Sequence, residues 1–415
     1  MNIAILHYSV PPIVGGVESV IAHHARLMSA NGHSVRLIAA RGEDLPTGDN
    51  TSEPIPLTAI SLADSRHQRV AHMKAQLDQG HVTQDFEVLR DELVEELKIA
   101  LSSVDVLIAH NVCSLNKNLA LTAALHQLHT AQKLPHLILW HHDLAWTTPR
   151  YLPEMHNGYP WDLLRMDWGK TNHVVVSELR RTELSELMKL RPESIHVIPN
   201  GVNAARFYKL EPQTQSLIDR INLLDAAPIL LLPVRVTPRK NIELALQTLK
   251  VLQDQFPQSA LVVTGPLGPH NGNNVHYFEN LKLLRAQLGL EGSFHFLAEL
   301  TDSYLPDEVI ADFYRIADAL FFPSREEGFG IPLIEAAFSH LPAFCADIPP
   351  LRELGLNEAS FFSPEEDPVK VAEMVAEYFK FSLPARLSMR ARASFRWEAI
   401  YRQHISPILQ GAAGL

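Results

Sequence analysis

The sequence predicts an α/β protein made of two successive parallel-sheet domains. Short apolar runs alternate with amphipathic helical stretches along nearly the whole chain, the pattern of strands buried on both faces by crossover helices. The alternation runs as far as His196–Pro199, pauses at the turn Asn200-Gly-Val-Asn203 and restarts at Ile229. A chain of 415 residues also exceeds one comfortable hydrophobic core.

In the first half, Asn2–Tyr8 reads as a strand, Pro11–Gly16 as a turn and Val17–Ala30 as an amphipathic helix closed by Asn31-Gly32. Ser34–Ala40 is a second strand. Residues 41–58, rich in Gly, Pro, Asp and Asn, read as a loop, and Asp85–Leu101 as a helix with acids on its outer face. Strands at Asp105–His110, Leu134–Trp140, Asn172–Ser177 and His196–Pro199 are separated by helices at Leu115–Thr130 and up to about Leu190. In the second half, strands are expected at Ile229–Val234, Ala260–Thr264, Ser293–Leu297, Ala319–Pro323 and Pro342–Ala346. Helices are expected at Asn241–Phe256, Val275–Leu288, Asp307–Ile316, Ile331–Ser339 and Asp367–Phe379. No internal repeat and no low-complexity tract is present.

Composition narrows the class. Hydrophobic residues make up 46% and charged residues 20%, ordinary values for a soluble globular protein. The formal net charge of −11 argues against sequence-independent nucleic-acid binding and weakens a standing attachment to anionic lipid, although a local basic patch survives such averaging. No apolar run approaches the length of a membrane span. The N-terminus enters a strand directly, without a basic leader, so a cytoplasmic location is expected. Cys113 and Cys345 lie far apart in apolar contexts and read as buried free thiols.

The most informative stretch is Pro323-Ser-Arg-Glu-Glu-Gly-Phe-Gly-Ile-Pro-Leu-Ile-Glu335. The aromatic run ending at Phe322 is a buried strand, Gly328 and Gly330 make a turn, and Pro332 suits the first turn of a helix, where a missing N–H costs nothing. Such a turn offers free backbone N–H groups and the positive end of a helix dipole, an anion site that glycines let a phosphate approach closely. Glu327 and Glu335 flank it. Carboxylates accept hydrogen bonds from hydroxyls, so the combination suits a sugar–phosphate–ribose ligand. Seven residues, Gly-Phe-Gly-Ile-Pro-Leu-Ile, separate the two glutamates. This spacing, with its glycines, its proline and the preceding Phe-Phe-Pro-Ser, resembles the Glu-x7-Glu signature of retaining glycosyltransferases of family 4, which have the GT-B fold.

That resemblance implies two Rossmann-like domains facing across a cleft, and an enzyme of the hexosyltransferase class. The expected division is residues 1–200 on the acceptor side and 201–384 on the nucleotide-sugar side. A C-terminal helix, about 385–415, is expected to cross back to the first domain, because Ser394–Ile400 resembles the family's terminal helix. Closure about Asn200–Asn203 would assemble the cleft.

Ligands of doubly wound sheets bind beyond the carboxyl ends of the strands, and four further segments fall there. Gly15-Gly16 follows the first strand. It lacks the Gly-x-Gly-x-x-Gly spacing of a dehydrogenase and resembles the family's N-terminal glycine loop over the donor diphosphate. His142, before Asp143 at a strand end, aligns with the family's active-site histidine. Its neighbour His141 points to the opposite side of the extended chain and suits the core. In Arg235-Val-Thr-Pro-Arg-Lys240, a guanidinium and an ammonium group converge on one loop, which suits a diphosphate. Arg235 and Lys240 match the family's Arg-x4-Lys pair, while Arg239 is an extra cation. Val263-Thr-Gly-Pro-Leu-Gly268 resembles the glycine turn beneath the nucleobase, with Gly265 at its centre. Thr264, Pro266 and the long insert Pro269–Asn274 depart from the usual form and leave uridine and guanosine both open.

The resemblance then implies the following roles. Arg235, Lys240, the Gly16 amide and the amides around Phe329–Ile331 stabilise the leaving diphosphate, and Gly328 and Gly330 permit its approach. Glu327 binds donor-sugar hydroxyls, Glu335 the ribose, and His142 positions the sugar. No cofactor and no metal are expected: the nucleotide-diphosphate sugar is a co-substrate. Asp-x-Asp is absent. His126-x-x-His129 lacks a third ligand nearby, and Cys113 lacks an obvious base. The acceptor is expected to be a small soluble sugar, sugar acid or sugar phosphate. Tyr151, Trp146, Tyr159, Trp161 and Trp168 read equally as a stacking platform for it or as core. Other readings remain open: a peripheral enzyme of cell-surface glycan or glycolipid assembly, a non-catalytic two-lobed sugar-binding protein, and a nucleotide-sugar epimerase. Oligomeric state and any membrane contact are left undetermined.

Overall fold

The computed structural model describes residues 1–47, 53–266, 272–301 and 304–413. Two compact units result, Met1–Gly201 with Ile400–Leu415, and Val202–Ala399.

The first unit is built on a seven-stranded parallel sheet of order β3-β2-β1-β4-β5-β6-β7 among the described residues. Its strands are β1 (Asn2–Leu6), β2 (Ser34–Ala39), β3 (Leu57–Ala59), β4 (Val106–His110), β5 (His136–His141), β6 (Thr171–Val175) and β7 (Ile195–Val197). All of β4 and all but the first residue of β1 and β5 are buried, as expected where helices cover both faces. Register follows directly: Ile3 lies opposite Val35 and Val106, and Leu139 opposite Ala109 and His173. Helices Gly16–Ala30, Gln84–Ala100 and Leu119–Thr130 send apolar stripes into this core.

The second unit repeats the plan with six parallel strands in the order β10-β9-β8-β11-β12-β13 among the described residues. These are β8 (Ile229–Leu232), β9 (Ala260–Val263), β10 (Phe294–Phe296), β11 (Ala319–Phe322), β12 (Ala343–Ala346) and β13 (Ser360–Phe362). Its core is apolar and aromatic. Phe321 stacks on Phe362 with ring centroids 5.6 Å apart, and Phe294, Phe313, Phe344 and Phe379 are almost wholly buried.

Three differences from the sequence reading have physical causes. Residues 41–58 are not all loop. Leu57–Ala59 adds β3 to the sheet edge beside β2, a run too short to show a period of two; residues 48–52 lie outside the described residues. Helix Gln68–Leu77 has no clear sequence signal, because seven of its ten residues are polar or small, although Val70, Met73 and Leu77 carry its buried stripe. The single C-terminal helix expected over about 385–415 is broken at Phe395-Arg396. Helix Leu383–Ser394 belongs to the second unit, and a new helical run from Trp397 passes through a π-turn at Tyr401–Ile405 to Ala413.

Within the second unit, a lattice of buried charge ties helix Leu383–Ser394 to the sheet. Both Arg392 and Asp318 are nearly inaccessible and form a bidentate ion pair, with the Nη1–Oδ1 arm at 2.9 Å. Asp318 also accepts from the Ile229 amide at 2.7 Å, and Arg392 donates to the Ala226 carbonyl at 2.9 Å. Every strong partner of this buried pair is therefore supplied by the fold, the condition under which burying charge is tolerated.

Candidate functional site

In the second sheet, strand order reverses between β8 and β11, which leaves a crevice beyond their carboxyl ends. The loop after β8 carries Pro233–Arg235, the loop after β9 carries Thr264–Pro266, and the turn after β11 leads into helix Ile331–Phe338. The first two loops lie against each other. A Cβ on Gly265 would sit 2.1 Å from the Val234 carbonyl oxygen, so only glycine permits this approach. A cavity of about 230 Å³ opens there, lined by Arg235, Gly265 and Glu335, with Thr264, Tyr304 and Asp307 completing its polar wall. Three residues chosen from sequence therefore meet in one cavity. Arg235 is exposed and makes no ion pair with a described residue. The rest of the glycine turn, Leu267 and Gly268, and the first residues of the insert lie outside the described residues.

Glu335 is anchored. The Tyr314 hydroxyl donates to its Oε2 at 2.6 Å, from helix Asp307–Ile316. Burial, then the neighbouring carboxylate, raises the Tyr314 phenol well above its usual range, so it stays protonated and donates. Nothing local in the sequence marks Tyr314, because its partner is twenty-one residues away on the next helix.

Lys240 and Glu327, assigned separately from sequence, are brought together as an ion pair, each side chain 9% exposed, and do not line that cavity. The Lys240 ammonium also lies 5.6 Å from the Phe322 ring centroid. The supporting loop is stitched in place. Asn241, in the left-handed region at φ 54°, donates through Nδ2 to the Pro323 and Pro364 carbonyls at 3.1 and 2.9 Å, and the Arg325 amide donates to the Arg239 carbonyl at 2.8 Å. Gly330 caps helix Ile331–Phe338 at φ 108°, where a Cβ would lie 2.5 Å from Leu351 Cδ2. Gly328 has open space around it, and Phe329 and Ile331 are more than half exposed.

In the first unit, Gly15 caps helix Gly16–Ala30 in an extended conformation. Glu18 occupies the first turn and accepts from Ser9 Oγ at 2.7 Å, so a carboxylate already faces this positive helix end. His142 sits at the end of β5 in a chain of imidazoles. Its Nε2 lies 3.0 Å from His110 Nδ1, the two rings stacking at 5.3 Å, and His7 Nδ1 lies 2.7 Å from the His110 carbonyl. A carbonyl only accepts, so His7 carries its proton on Nδ1 and presents Nε2 as a lone pair. Burial pushes His142 down to about 3 and His7 to about 4, and drives His110 well below its usual value. These rings are neutral at physiological pH. Asn111, at φ 58°, uses one side-chain oxygen to accept from the His142 and Asp143 amides at 2.7 and 3.2 Å. Sequence reading missed His110 and Asn111. His141 faces inward and pairs with His173 at 3.1 Å.

The aromatic cluster is largely core. Trp161 is 3% exposed, and the Trp146 and Trp168 indoles donate to the Trp161 and Leu163 carbonyls at 3.2 and 3.0 Å. Tyr159, half exposed, packs edge-on against Phe86. His129 Nε2 is engaged by the Trp168 and Gly169 carbonyls, and His126 packs edge-on against Trp168. Burial raises both thiols, Cys345 to about 12, and leaves them inert. Among the described residues, no helix is long and apolar enough to cross a membrane.

Two family descriptions match the chain in tandem: Glycosyltransferase Family 4 over residues 14–206, and Glycosyl transferases group 1 over residues 214–394. The chain is 25% identical to a mannosylglucosylglycerate synthase of Petrotoga mobilis, over 79% of this chain and 81% of that one. It is 28% identical to a D-inositol 3-phosphate glycosyltransferase of Streptomyces scabiei over 52% of this chain, a match spanning about half (48%) of that relative's length. It is also 28% identical to the O-antigen chain mannosyltransferase RfbU of Salmonella typhimurium, over 58% and 60% of the two chains. Among solved structures, sucrose-phosphate synthase from Thermosynechococcus elongatus aligns over 100% of both chains with 17% identity and a TM-score of 0.36. With both of its Rossmann-like units matched in order, and with the Glu327–Glu335 spacing set on the turn after β11, the chain belongs to glycosyltransferase family 4, the group-1 glycosyl transferases of GT-B fold.

Proposed function

We propose that the protein is a retaining, metal-independent hexosyltransferase that moves a hexosyl group from a UDP-glucose- or GDP-mannose-type donor to a hydroxyl of a small soluble acceptor. The observation that carries this reading is the convergence of Arg235, Gly265 and Glu335 on one cavity where the second sheet reverses its order. Glu335, oriented by Tyr314, accepts hydrogen bonds from the ribose hydroxyls. Arg235 grips the diphosphate with its planar fork. Lys240 spends one of its three N–H donors on Glu327 and keeps two for phosphate oxygens. Glu327, held by that pair, takes sugar hydroxyls.

In the reaction, the bond from the anomeric carbon to the β-phosphate oxygen breaks and its electron pair stays on the phosphate. A new bond forms on the same face of the sugar to the acceptor oxygen, and the hydroxyl proton passes to the leaving phosphate oxygen. Arg235, Lys240 and the N-terminal amides of helix Ile331–Phe338 stabilise the growing charge, the work a divalent metal performs elsewhere. Neutral His142 contacts the sugar as a hydrogen-bonding group and adds no positive charge beside the developing oxocarbenium ion.

Two of the relatives, a mannosylglucosylglycerate synthase and a D-inositol 3-phosphate glycosyltransferase, favour a small acceptor. RfbU, an O-antigen chain mannosyltransferase, supports the second reading, cell-surface glycan assembly. The buried thiols accord with a cytoplasmic enzyme. The test is to incubate the chain with UDP-glucose, UDP-N-acetylglucosamine, GDP-mannose and ADP-glucose, with and without EDTA. Thermal shift and released nucleoside diphosphate are recorded. One donor is expected to raise the melting temperature and hydrolyse slowly, unaffected by EDTA, with both effects lost in Glu335→Ala. No response to any donor would overturn the reading.

A further inference from the structure

Residues 380–397 carry five cations, Lys380, Arg386, Arg390, Arg392 and Arg396, and no acid, in a chain whose net charge is −11. Glu377 and Glu398 bracket the run. Its centre is helix Leu383–Ser394, and the cations divide by face. Arg392 and Arg396 turn inward, where Asp318 and Asp225 pair with them. Lys380, Arg386 and Arg390 are exposed and make no ion pair with a described residue.

Steps of three and four residues place Leu383, Arg386, Leu387 and Arg390 on one side of the helix, opposite the buried Arg392. Leu383 and Leu387 are 71% and 58% exposed, and Phe381, at the end of the preceding helix Pro368–Phe381, is 73% exposed. An open groove of about 790 Å³ lies against this face. Phe379 and Met389 form its buried floor, and Lys380, Arg386 and Arg390 its exposed rim. On the other flank of the helix, Phe207 and Phe395 are exposed beside a second groove, which Ser388 and Ala391 share. Large apolar side chains gathered in one exposed area mark a surface that something covers. Here cations without partners stand among them, and no acid does. That composition matches the headgroup layer of an anionic bilayer, where leucine and phenylalanine enter the acyl boundary and arginine and lysine meet phosphates. The inner side of the helix is fixed to the sheet through Arg392 and Asp318, so a single face is on offer. One face suits a plane better than a protein groove that closes around a helix.

We propose that the exposed face of helix Leu383–Ser394 is a membrane-docking surface that holds the second unit reversibly on an anionic bilayer. Three free cations and three apolar side chains give an attachment that salt weakens, in keeping with an acidic chain. The surface is separate from the cavity of Arg235, Gly265 and Glu335, and it stands whether or not that cavity transfers a sugar.

Co-sedimentation of the full chain with vesicles tests it. Phosphatidylcholine vesicles are compared with vesicles in which about a third of the lipid is phosphatidylglycerol. The chain is expected to pellet with the anionic vesicles only, and to be released in about 1 M salt, where the screening length falls to about 3 Å. Arg386→Ala and Arg390→Ala are each expected to weaken binding about fivefold, the worth of one cation at such a surface, and Arg386→Glu with Arg390→Glu to abolish it. Both side chains are exposed, so these variants keep the fold, which an unchanged melting temperature verifies. A second readout reports the apolar contact. Cys113 and Cys345 are buried, so a polarity-sensitive fluorophore attaches to a Leu387→Cys variant at the new thiol. Its emission is expected to shift to the blue on anionic vesicles and to stay in place with polyglutamate. Equal pelleting with neutral vesicles, no pelleting with either, binding that survives the double charge reversal, or an unmoved label would each overturn the proposal. An equal blue shift with polyglutamate would point to an acidic protein partner and overturn it as well.

Discussion

The two units solve the same problem, holding polar groups at the ends of buried strands, by opposite means. The second uses full charge: Arg392 with Asp318 beneath the sheet, and Lys240 with Glu327 at the turn after β11. The first uses neutral imidazoles, with His7, His110 and His142 linked through ring nitrogens and a carbonyl. Charge gives strength but needs a partner for every ion. Imidazoles avoid the desolvation of an ion, but they hold only while they remain unprotonated. The second unit should therefore answer to loss of a partner, and the first to acid.

The largest effect is expected from Arg392→Met, which leaves Asp318 buried with only the Ile229 amide. A loss of about 3–5 kcal/mol in the second unit should appear in chemical denaturation; a change within 1 kcal/mol, about the scale of an ordinary surface substitution, would mean that the buried pair is not structural. Next, Lys240→Ala should slow donor hydrolysis about 100-fold or more, in line with removing one charge-stabilising donor, while Arg239→Ala, on the same turn, should leave it nearly unchanged.

Acid should then separate the units. Histidine in an unfolded chain titrates near 6.5, whereas burial holds His24 and His142 at about 3 and His7 at about 4. Above pH ~6.5 neither state binds these protons and the folded state keeps its full margin. Below it the unfolded chain takes up protons that the folded chain refuses, so stability falls as pH drops toward 4, by about 1.4 kcal/mol per pH unit for each such group. In the second unit, burial lowers His295 to about 4. Tryptophan fluorescence reads this directly, because Trp140, Trp146, Trp161 and Trp168 lie in the first unit and Trp397 in the second. Fluorescence is expected to change at higher pH than helical circular dichroism is lost; coincident transitions would refute the contrast. The smallest effect is expected from Tyr314→Phe, which removes one hydrogen bond to Glu335 and should raise the donor KM several-fold with little change in melting.

Much of this was legible in the sequence for a definite reason. A strand buried on both faces must be apolar throughout, so β1, β4, β8 and β11 stand out as runs, and a tight strand–helix turn must carry glycine where backbones meet, as at Gly265, or where φ is positive, as at Gly330. Arg235, Gly265 and Glu335 were found because motif spacing reports the ends of strands. The illegible parts are pairings across long separations. Nothing near Lys240 announces Glu327, nothing near Asp318 announces Arg392, and His110 reads as one more residue of an apolar strand until β5 is laid beside it. The aromatic cluster at 146–168 stayed open between an outward platform and core, since composition does not say which way a tryptophan faces, and Trp161 faces the core.

Asn111 carries one more consequence. Its single oxygen fixes the backbone at both His142 and Asp143, and its left-handed conformation admits few other side chains. The location of the His142 imidazole is thus set from the end of β4, ahead of the long connection that follows β5. The connection itself, residues 144–170, is tied down in turn, because Trp161, Leu163 and Leu164 are buried in the core of the first unit.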